Sequence, residues 1–298
     1  MIQESRGKIS EDLFALGGIP WLPAYLFIGK HPVLFDSGMT FMGPRYLEEL
    51  KSILGNALRL EHIFLTHSHY DHAGGAPFLK RNIPGLKIGA SHLAAEIFKR
   101  PNAIQLIQSL SRDEEERNVS VIGDADVSFH GLDIDLHLED GDQMDLRDGN
   151  SLRVFATPGH TRDAVSFYIP EKKVLIPGEA VGVLGGNHEI VVNFLYSYND
   201  YLASLEKLVG LEPEIILMAH HFLLTGEDAR GFVPRSIAKT KAFRGQIQGY
   251  LHEAGSDQEA VVQRIFDEDY EKSQAGMQEP RPYLINLKAK VKAVAEGK

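Results

Sequence analysis

The stretch IFLTHSHYDHAGG, residues 63–75, places three histidines and an aspartate within six positions, between an apolar run and two glycines. The apolar run predicts a strand, so His67 and His69 fall in an extended or turning segment. Alternate side chains of such a segment point to the same side, and one cation could bind both rings. Asp71 and His72 follow at once. A chance match to this cluster is on the order of one in a thousand per chain, which favours metal binding.

Three further apolar runs, each typical of a strand, end in residues that can bind a metal. SLRVFATPGH ends in His160, KVLIPGE ends in Glu179, and EIILMAHH ends in His220 and His221. Ligands gather at strand ends in folds of mixed α and β structure, because the sheet holds those ends rigidly. Any one of these residues could instead be an isolated polar stop to its strand. Four such ends together predict one shared site.

Together, the motifs HSHYDH, PGH, PGEA and a late strand ending in histidine resemble those of the metallo-β-lactamase fold superfamily, over roughly residues 10–226. The resemblance implies the α+β class, as a four-layer αβ/βα sandwich of two mixed sheets with helices outside. It also implies a two-metal site along one edge. We expect a catalytic domain over residues 1–226. Residues 227–298 would form a helical extension that packs on it, as in the thioesterase and glyoxalase II-like branch.

The resemblance also implies two sets of ligands. One metal would be held by His67, His69 and His160, and the second by Asp71, His72 and His220. Glu179 would bridge them or bind one metal terminally, although most members of the superfamily have aspartate at that position. His221 remains an alternative to His220. Asp36 matches a position that usually supports the ligands, and it could equally be a turn residue.

Such a site would hold two divalent metal ions, zinc first, with iron or manganese as alternatives. Two cations about 3.5–4 Å apart can lower the pKa of a shared water to about 7 and so supply hydroxide at neutral pH. The catalytic role falls to Asp71, which would orient the hydroxide and accept its proton. We therefore expect a hydrolase of small esters, thioesters or lactones. A non-catalytic metal-containing sensor, a phosphodiesterase and an iron redox protein are the alternatives.

The segment after Glu179, AVGVLGGNHEIVVNFLYSYNDY, supplies apolar and aromatic residues close to the predicted metal edge. Val183, Phe194 and Tyr196 are candidates for substrate contacts, and His188 and Tyr70 join them. Residues of this type at strand-like spacing are more often part of the core. The two interpretations differ in whether these side chains face a pocket or other side chains.

Composition limits the classes of partner and of metal ligand that the chain could have. The formal net charge of −10 argues against nucleic acid, and the absence of cysteine leaves nitrogen and oxygen as metal ligands. No run approaches the ~20 apolar residues that span a bilayer, and the N-terminus lacks a signal-peptide pattern. We expect a cytoplasmic protein with a small-molecule substrate and no membrane association. The sequence leaves open whether the protein forms a homodimer.

Two helices are predicted with defined ends. The pattern from residue 91 to residue 110 indicates one continuous helix. Ser256 and Glu259 match a capping box ahead of an apolar face, which predicts a helix that starts after Ser256. The strands end near Gly226, and helical patterns continue from there.

Overall fold

The chain folds into four layers in this computed structural model, which describes residues 1–274 and 280–298. Two seven-stranded sheets face each other, and helices cover the outer surface of each sheet. The predicted α+β sandwich is thereby confirmed. Within the described residues, every helix is too short or too polar to cross a membrane.

The first sheet has the order β2-β3-β4-β5-β6-β7-β8, and its last three strand pairs are parallel. Its strands are β2 (Gly7–Lys8), β3 (Leu13–Leu16), β4 (Ala24–Phe27), β5 (Val33–Phe35), β6 (His62–Phe64), β7 (Lys87–Ser91) and β8 (Leu136–Leu138).

The second sheet has the order β1-β16-β15-β12-β11-β10-β9, in which the β12–β15 pair is parallel and the other pairs are antiparallel. Its strands are β1 (Ile2–Glu4), β9 (Gln143–Arg147), β10 (Asn150–Ala156), β11 (Val165–Ile169), β12 (Val174–Ile176), β15 (Ile215–Leu217) and β16 (Phe222–Thr225). A separate hairpin pairs β13 (Val183–Leu184) with β14 (Ile190–Val191).

The helices of the first half are α1 (Gly43–Leu54), α2 (Tyr70–Ala73), α3 (Ala76–Asn82), α4 (His92–Ile97), α5 (Pro101–Arg117) and α6 (Val119–Ile122). Those of the second half are α7 (Tyr198–Leu208), α8 (Glu227–Arg230), α9 (Phe232–Glu253), α10 (Gln258–Gln274) and α11 (Pro280–Ala295). Short 3-10 turns lie at Thr40–Met42, Ala57–Arg59, Pro170–Lys172 and Val209–Leu211.

Alternation along the strands explains the layering. In β4, Ala24 and Leu26 pack under the helices, whereas Tyr25 and Phe27 point into the layer between the sheets. Successive side chains of a strand point to opposite faces, so a strand buried on both sides is apolar throughout. Side chains from both sheets, such as Phe35 and Phe167 with ring centroids 5.3 Å apart, fill the central layer.

The helices that follow residue 226 pack on the outer face of the second sheet. Ile247 of α9, Val262 of α10 and Val291 of α11 belong to the same buried cluster as Leu175 of β12 and Ile216 of β15. Residues 275–279 of the predicted extension lie outside the described residues. The extension and the core therefore share one apolar cluster.

Two predicted helix ends are wrong. The region from residue 91 to residue 110 forms two helices, because Pro101 starts α5 and the preceding Arg100 is extended, with φ −80° and ψ 125°. A residue before proline is pushed away from the helical region. The predicted Ser256 cap is also displaced. Ser256 has φ 70°, and the side chain of Asp257 accepts the hydrogen bond from the Ala260 amide at 3.1 Å.

Candidate metal centre

The seven residues that the motifs predict as ligands meet at one edge of the sandwich. They form two overlapping groups, within each of which one candidate ligand atom per residue lies within 4.8 Å of the others. The groups are His67, His69, His160 and Glu179, and Asp71, His72, Glu179 and His220. Glu179 belongs to both groups. This arrangement could hold two cations with one shared carboxylate.

The sharp turn after β6 places the first four residues. The strand ends at Phe64, and His69 has extended φ and ψ values of −65° and 148° just before α2 begins. His67 therefore precedes the helix, while Asp71 and His72 lie within it. The first sheet and one short helix thus fix all four side chains within a few residues of chain.

Asp36, at the end of β5, holds this turn from outside. Its carboxylate accepts hydrogen bonds from the Thr66 amide at 2.7 Å, the Thr66 hydroxyl at 2.9 Å and His72 Nδ1 at 2.8 Å. A carboxylate on the far nitrogen of a ligand histidine fixes the ring and its tautomer. The predicted supporting role of Asp36 matches these contacts, although turn geometry is present too, with φ 59°.

The loops of the second sheet supply the other two histidines. His160 Nδ1 lies 2.8 Å from the Asn193 carbonyl oxygen, and His220 Nδ1 lies 2.7 Å from the Trp21 carbonyl oxygen. A carbonyl only accepts, so each Nδ1 donates, and each Nε2 is left to face the centre. His221 is absent from both ligand groups. The geometry therefore selects His220 over His221.

Glu179 lies at the middle of the centre. Its Oε1 atom is 3.4 Å from the Nε2 atoms of both His160 and His220, and 3.6 Å from that of His72. Its Oε2 atom accepts a short hydrogen bond from the side-chain amide of Asn193. The longer glutamate side chain therefore reaches both ligand groups while Asn193 orients it.

Burial and neighbouring charges divide the histidines. Burial lowers the pKa of His67 well below its usual value and that of His160 to about 4, which favours their neutral, metal-binding forms. Burial opposes the charge of Glu179 as well, yet His160 and His220 hold its pKa well below the usual range. For His72, burial is outweighed by Asp36 and Asp71, which raise its pKa well above the usual value.

The donor set fits divalent cations. The Nε2 atoms of His67 and His72 are buried and have no hydrogen-bond partner. Buried polar atoms in proteins are nearly always partnered, and an unprotonated Nε2 is a metal ligand. For His72, a bound cation would replace the proton that Asp36 and Asp71 favour. Imidazole and carboxylate groups suit zinc, iron and manganese alike.

The predicted substrate contacts are scattered. Tyr70 is partly buried beside Asp71. Its pKa is raised mainly by burial and further by the charge of Asp71. Tyr196 is 38% exposed, with the Arg162 guanidinium over its ring. Val183 is half-buried in the small hairpin. His188 is exposed and touches Phe222, with ring centroids 5.0 Å apart.

The predicted substrate contact of Phe194 is wrong. Its side chain is fully buried and packs against Tyr198, Tyr201 and Phe243, so it belongs to the core of the second layer of helices. This is the core alternative that the alternating apolar run left open.

Several residues that support the centre were not predicted from the sequence. Asn193 contacts both His160 and Glu179, and Asp163 accepts a 2.7 Å hydrogen bond from the Ser68 amide in the HSHYDH turn. Thr66 lies 3.0 Å from His67 Nδ1. Thr66 and Asp163 lie next to recognised motifs, so their positions offered a weak signal. Asn193 stands in an apolar run and offered none.

Comparison with known proteins agrees with this geometry. The family description "Metallo-beta-lactamase superfamily" matches residues 23–220. A Beta-lactamase-like protein 2 homolog of Caenorhabditis elegans is 28% identical over 193 residues, or 64% of this chain and 52% of that protein. An Atrochrysone carboxyl ACP thioesterase of Aspergillus fumigatus is 26% identical over 61% of this chain and 34% of its own length.

A metallo-beta-lactamase family protein of Thermus thermophilus superposes with a TM-score of 0.67 over 97% of this chain and 95% of its own, at 21% identity. The chain belongs to the metallo-β-lactamase superfamily. It spans about half the length of the Caenorhabditis relative that it matches.

Proposed function

We propose that the protein is a dinuclear metal-dependent hydrolase that acts on a small ester, thioester or lactone. The observation that carries the proposal is the pair of ligand groups that share Glu179. A carboxylate common to two sets of ligands is suited to hold two cations close together, and paired cations are typical of hydrolytic centres. Zinc is the first candidate metal, and a cytoplasmic location remains part of the proposal.

The bound metals would supply a Lewis acid and an activated water at neutral pH. The protein's own groups would do the rest. Asp71 Oδ2 lies 3.7 Å from His220 Nε2 and reaches the centre from the start of α2. Its carboxylate is the group best placed to orient the attacking water and to accept its proton. The side chain of Asn193 would keep Glu179 in place during the reaction.

The substrate class rests on a relative and on the surroundings of the site. The Aspergillus relative is named a thioesterase. Tyr70 is partly buried beside Asp71, and the Tyr196 amide donates to the carbonyl oxygen of Gly159, the residue directly before His160. Aromatic side chains close to the ligand residues would suit an acyl or aryl group. Thioesters are therefore the first class to test.

The test measures metal-dependent turnover on a panel of thioesters, lactones, aryl esters and phosphodiesters, with the chain loaded with zinc, manganese or iron. We expect turnover of a thioester that disappears with a chelator and returns with metal. Phosphodiester turnover alone would select the phosphodiesterase alternative. Stoichiometric metal with no turnover on any probe would favour the sensor.

Two variants test the roles of the carboxylates. Asp71→Asn should lower kcat by at least about a hundredfold, the scale of general-base catalysis. Asp113→Asn, on the exposed side of α5, is the matched control. Glu179→Ala should lose tight binding of one metal equivalent. Two tightly held equivalents in Glu179→Ala would contradict the role of that carboxylate.

A further inference from the structure

Two histidine rings outside the metal centre lie against each other on the protein surface. His92 is the first residue of α4, and His137 lies in β8, the edge strand of the first sheet. Their ring centroids are 5.1 Å apart, and their planes are tilted by 59°. Both residues are exposed. Because β7 pairs with β8 and leads directly into α4, the sheet itself sets the two rings side by side.

The spacing of this pair matches that of the histidines in the metal centre. Neighbouring rings there have centroids from 4.1 Å apart, for His67 and His72, to 5.3 Å apart, for His72 and His220. Outside that centre, and within the described residues, His92 and His137 form the only contact between two histidine rings. Zinc lies about 2.0–2.1 Å from an imidazole nitrogen, so two rings in contact can each turn a nitrogen to one ion.

The surroundings of the pair favour a cation. Neither ring forms a side-chain hydrogen bond or an ion pair with another described residue, so the nitrogen atoms remain available. Glu96 follows His92 by one helical turn on α4, and Glu139 follows His137 by two positions at the end of β8. Both carboxylates are exposed, and they place negative charge close to the two imidazoles.

We propose that His92 and His137 form an accessory site for one divalent transition-metal cation, separate from the metal centre. Imidazole ligands select zinc, nickel or copper over calcium and magnesium, which prefer oxygen. The site has two histidines and is open to water, so it binds its cation more weakly than the centre and fills after it. The inference goes beyond the proposed function, because it does not depend on what the centre binds or catalyses.

A cation in the accessory site would fasten α4 to β8 close to a support of the metal centre. The hydroxyl of Ser91, the residue before His92, donates to the Asp163 carbonyl oxygen at 2.7 Å. The carboxylate of Asp163 accepts from the Ser68 amide, also at 2.7 Å, inside the HSHYDH turn. The accessory site therefore adjoins the start of a short chain of hydrogen bonds that ends between two ligands of the centre.

Equilibrium dialysis of the full chain against increasing free zinc, with the bound metal measured by atomic absorption, tests this site. The wild type should bind one equivalent beyond those that the centre holds. His92→Ala and His137→Ala should each weaken this last equivalent by at least about tenfold, the scale that even outer-shell partners of a metal contribute. The tighter equivalents should not change. His130→Ala, which removes an exposed histidine outside the pair, is the matched control.

NMR spectra of the histidine rings identify the ligands independently of the metal count. The ring resonances of His92 and His137, assigned with the two variants, should change together as the last equivalent binds. The proposal is overturned if no additional equivalent binds, if both variants bind it as tightly as the wild type, or if the two rings do not respond to zinc. A chain whose centre stays empty, but which loses one equivalent in both variants, would contradict the proposed function and support the accessory site.

Discussion

Asp36 accepts three hydrogen bonds within the turn that carries the first four ligands, two of them from Thr66 and one from His72. It has a left-handed backbone, with φ 59°, and it is buried. Such a conformation costs free energy in a residue other than glycine and is maintained by its surroundings. The contacts explain why an aspartate occupies this position: only a carboxylate accepts from the backbone, the hydroxyl and the imidazole together.

Replacement of this carboxylate should weaken metal binding without removing any ligand. For Asp36→Ala we expect zinc affinity to fall by about 10–100-fold, because the His72 ring loses the group that orients it. Asp36→Asn should lose less, since its side-chain oxygen still accepts. Competition with a chromophoric chelator measures the zinc affinity of both variants. The exposed Asp124→Ala is the control. A fall of less than twofold in Asp36→Ala would show that the turn holds His72 without it.

Lys290, buried on α11, should make the free energy of unfolding depend on pH. Its pKa is about 8 in the folded chain and about 10.4 in an unfolded one. Between those values the unfolded chain binds more protons, so the free energy of unfolding should rise with pH. The contribution of this group amounts to about 3 kcal/mol over the window. Below about pH 8 the folded chain carries the full cost of the buried charge.

Lys290→Met should lack this contribution. The measurement is urea unfolding of chelator-treated wild type and Lys290→Met from pH 7.5 to 10.5, with the difference between the two chains plotted against pH. We expect the variant to be more stable at neutral pH and its advantage to shrink as the pH rises. A constant difference would mean that Lys290 has an ordinary pKa in the folded chain.

How much of the centre the sequence predicts depends on distance along the chain. His67, His69, Asp71 and His72 form a local motif, and the structure brings the other three predicted ligands to them. Asn193 and the Trp21 carbonyl belong to no local pattern. Asn193 and the Trp21 carbonyl meet the centre only because the sheets and helices pack as they do, and the sequence could not show those contacts.

Among the elements, the loop between β10 and β11 illustrates how a ligand is positioned by packing. Gly159 lies directly before His160, and its carbonyl oxygen accepts hydrogen bonds from the Tyr196 and Ser197 amides at 3.0 Å and 3.2 Å. The hydroxyl of Ser204 on α7 donates to the Pro158 carbonyl oxygen at 2.7 Å. The loop therefore packs against the N-terminal part of α7 and the two residues before it.

Helix ends were the weakest sequence predictions. Pro101 divided one predicted helix into two, and Asp257 rather than Ser256 accepts the hydrogen bond at the start of α10.

Gly159 is required in this loop for two reasons. Its φ is 132°, and a Cβ atom there would lie 2.3 Å from the Tyr201 Cα atom, part of the backbone of α7. Gly159→Ala should therefore destabilise the fold by roughly 2–4 kcal/mol and weaken zinc binding, because His160 must shift with the loop. Chemical denaturation measures the stability, and competition with a chromophoric chelator measures the zinc affinity. Gly210→Ala, where a Cβ meets nothing within 4 Å, is the control.

Gly159→Ala with wild-type stability would mean that α7 moves aside at little cost. Loss of stability with unchanged zinc affinity would mean that His160 is held by the Asn193 carbonyl rather than by the loop.

At the scale of the whole molecule, the centre joins the two halves of the sandwich. His67, His69, Asp71 and His72 follow β6 of the first sheet, whereas His160, Glu179 and His220 follow strands of the second. Near the centre, the Val165 amide donates to the Thr66 carbonyl oxygen at 2.8 Å and ties the sheets directly. The layer order was predictable from the resemblance of the motifs to the metallo-β-lactamase superfamily. The pairing of strands across the halves was not.

Because cations at this edge would bind ligands from both sheets, metal removal should lower the stability of the entire fold. A ligand present at a hundredfold over its dissociation constant stabilises the folded state by about 2.7 kcal/mol per site. For a chain of 298 residues we expect Tm to fall by about 5–10 °C in excess chelator and to recover with zinc. Differential scanning calorimetry measures the shift.

The matched variant is His220→Ala, which removes one ligand from the second sheet and leaves the four-residue cluster of the first intact. Its Tm in chelator should lie slightly below that of the chelated wild type, since the hydrogen bond from His220 Nδ1 to the Trp21 carbonyl oxygen is lost. In zinc it should recover only part of the wild-type gain. A wild-type Tm that does not respond to chelator or zinc would contradict a centre that links the two sheets.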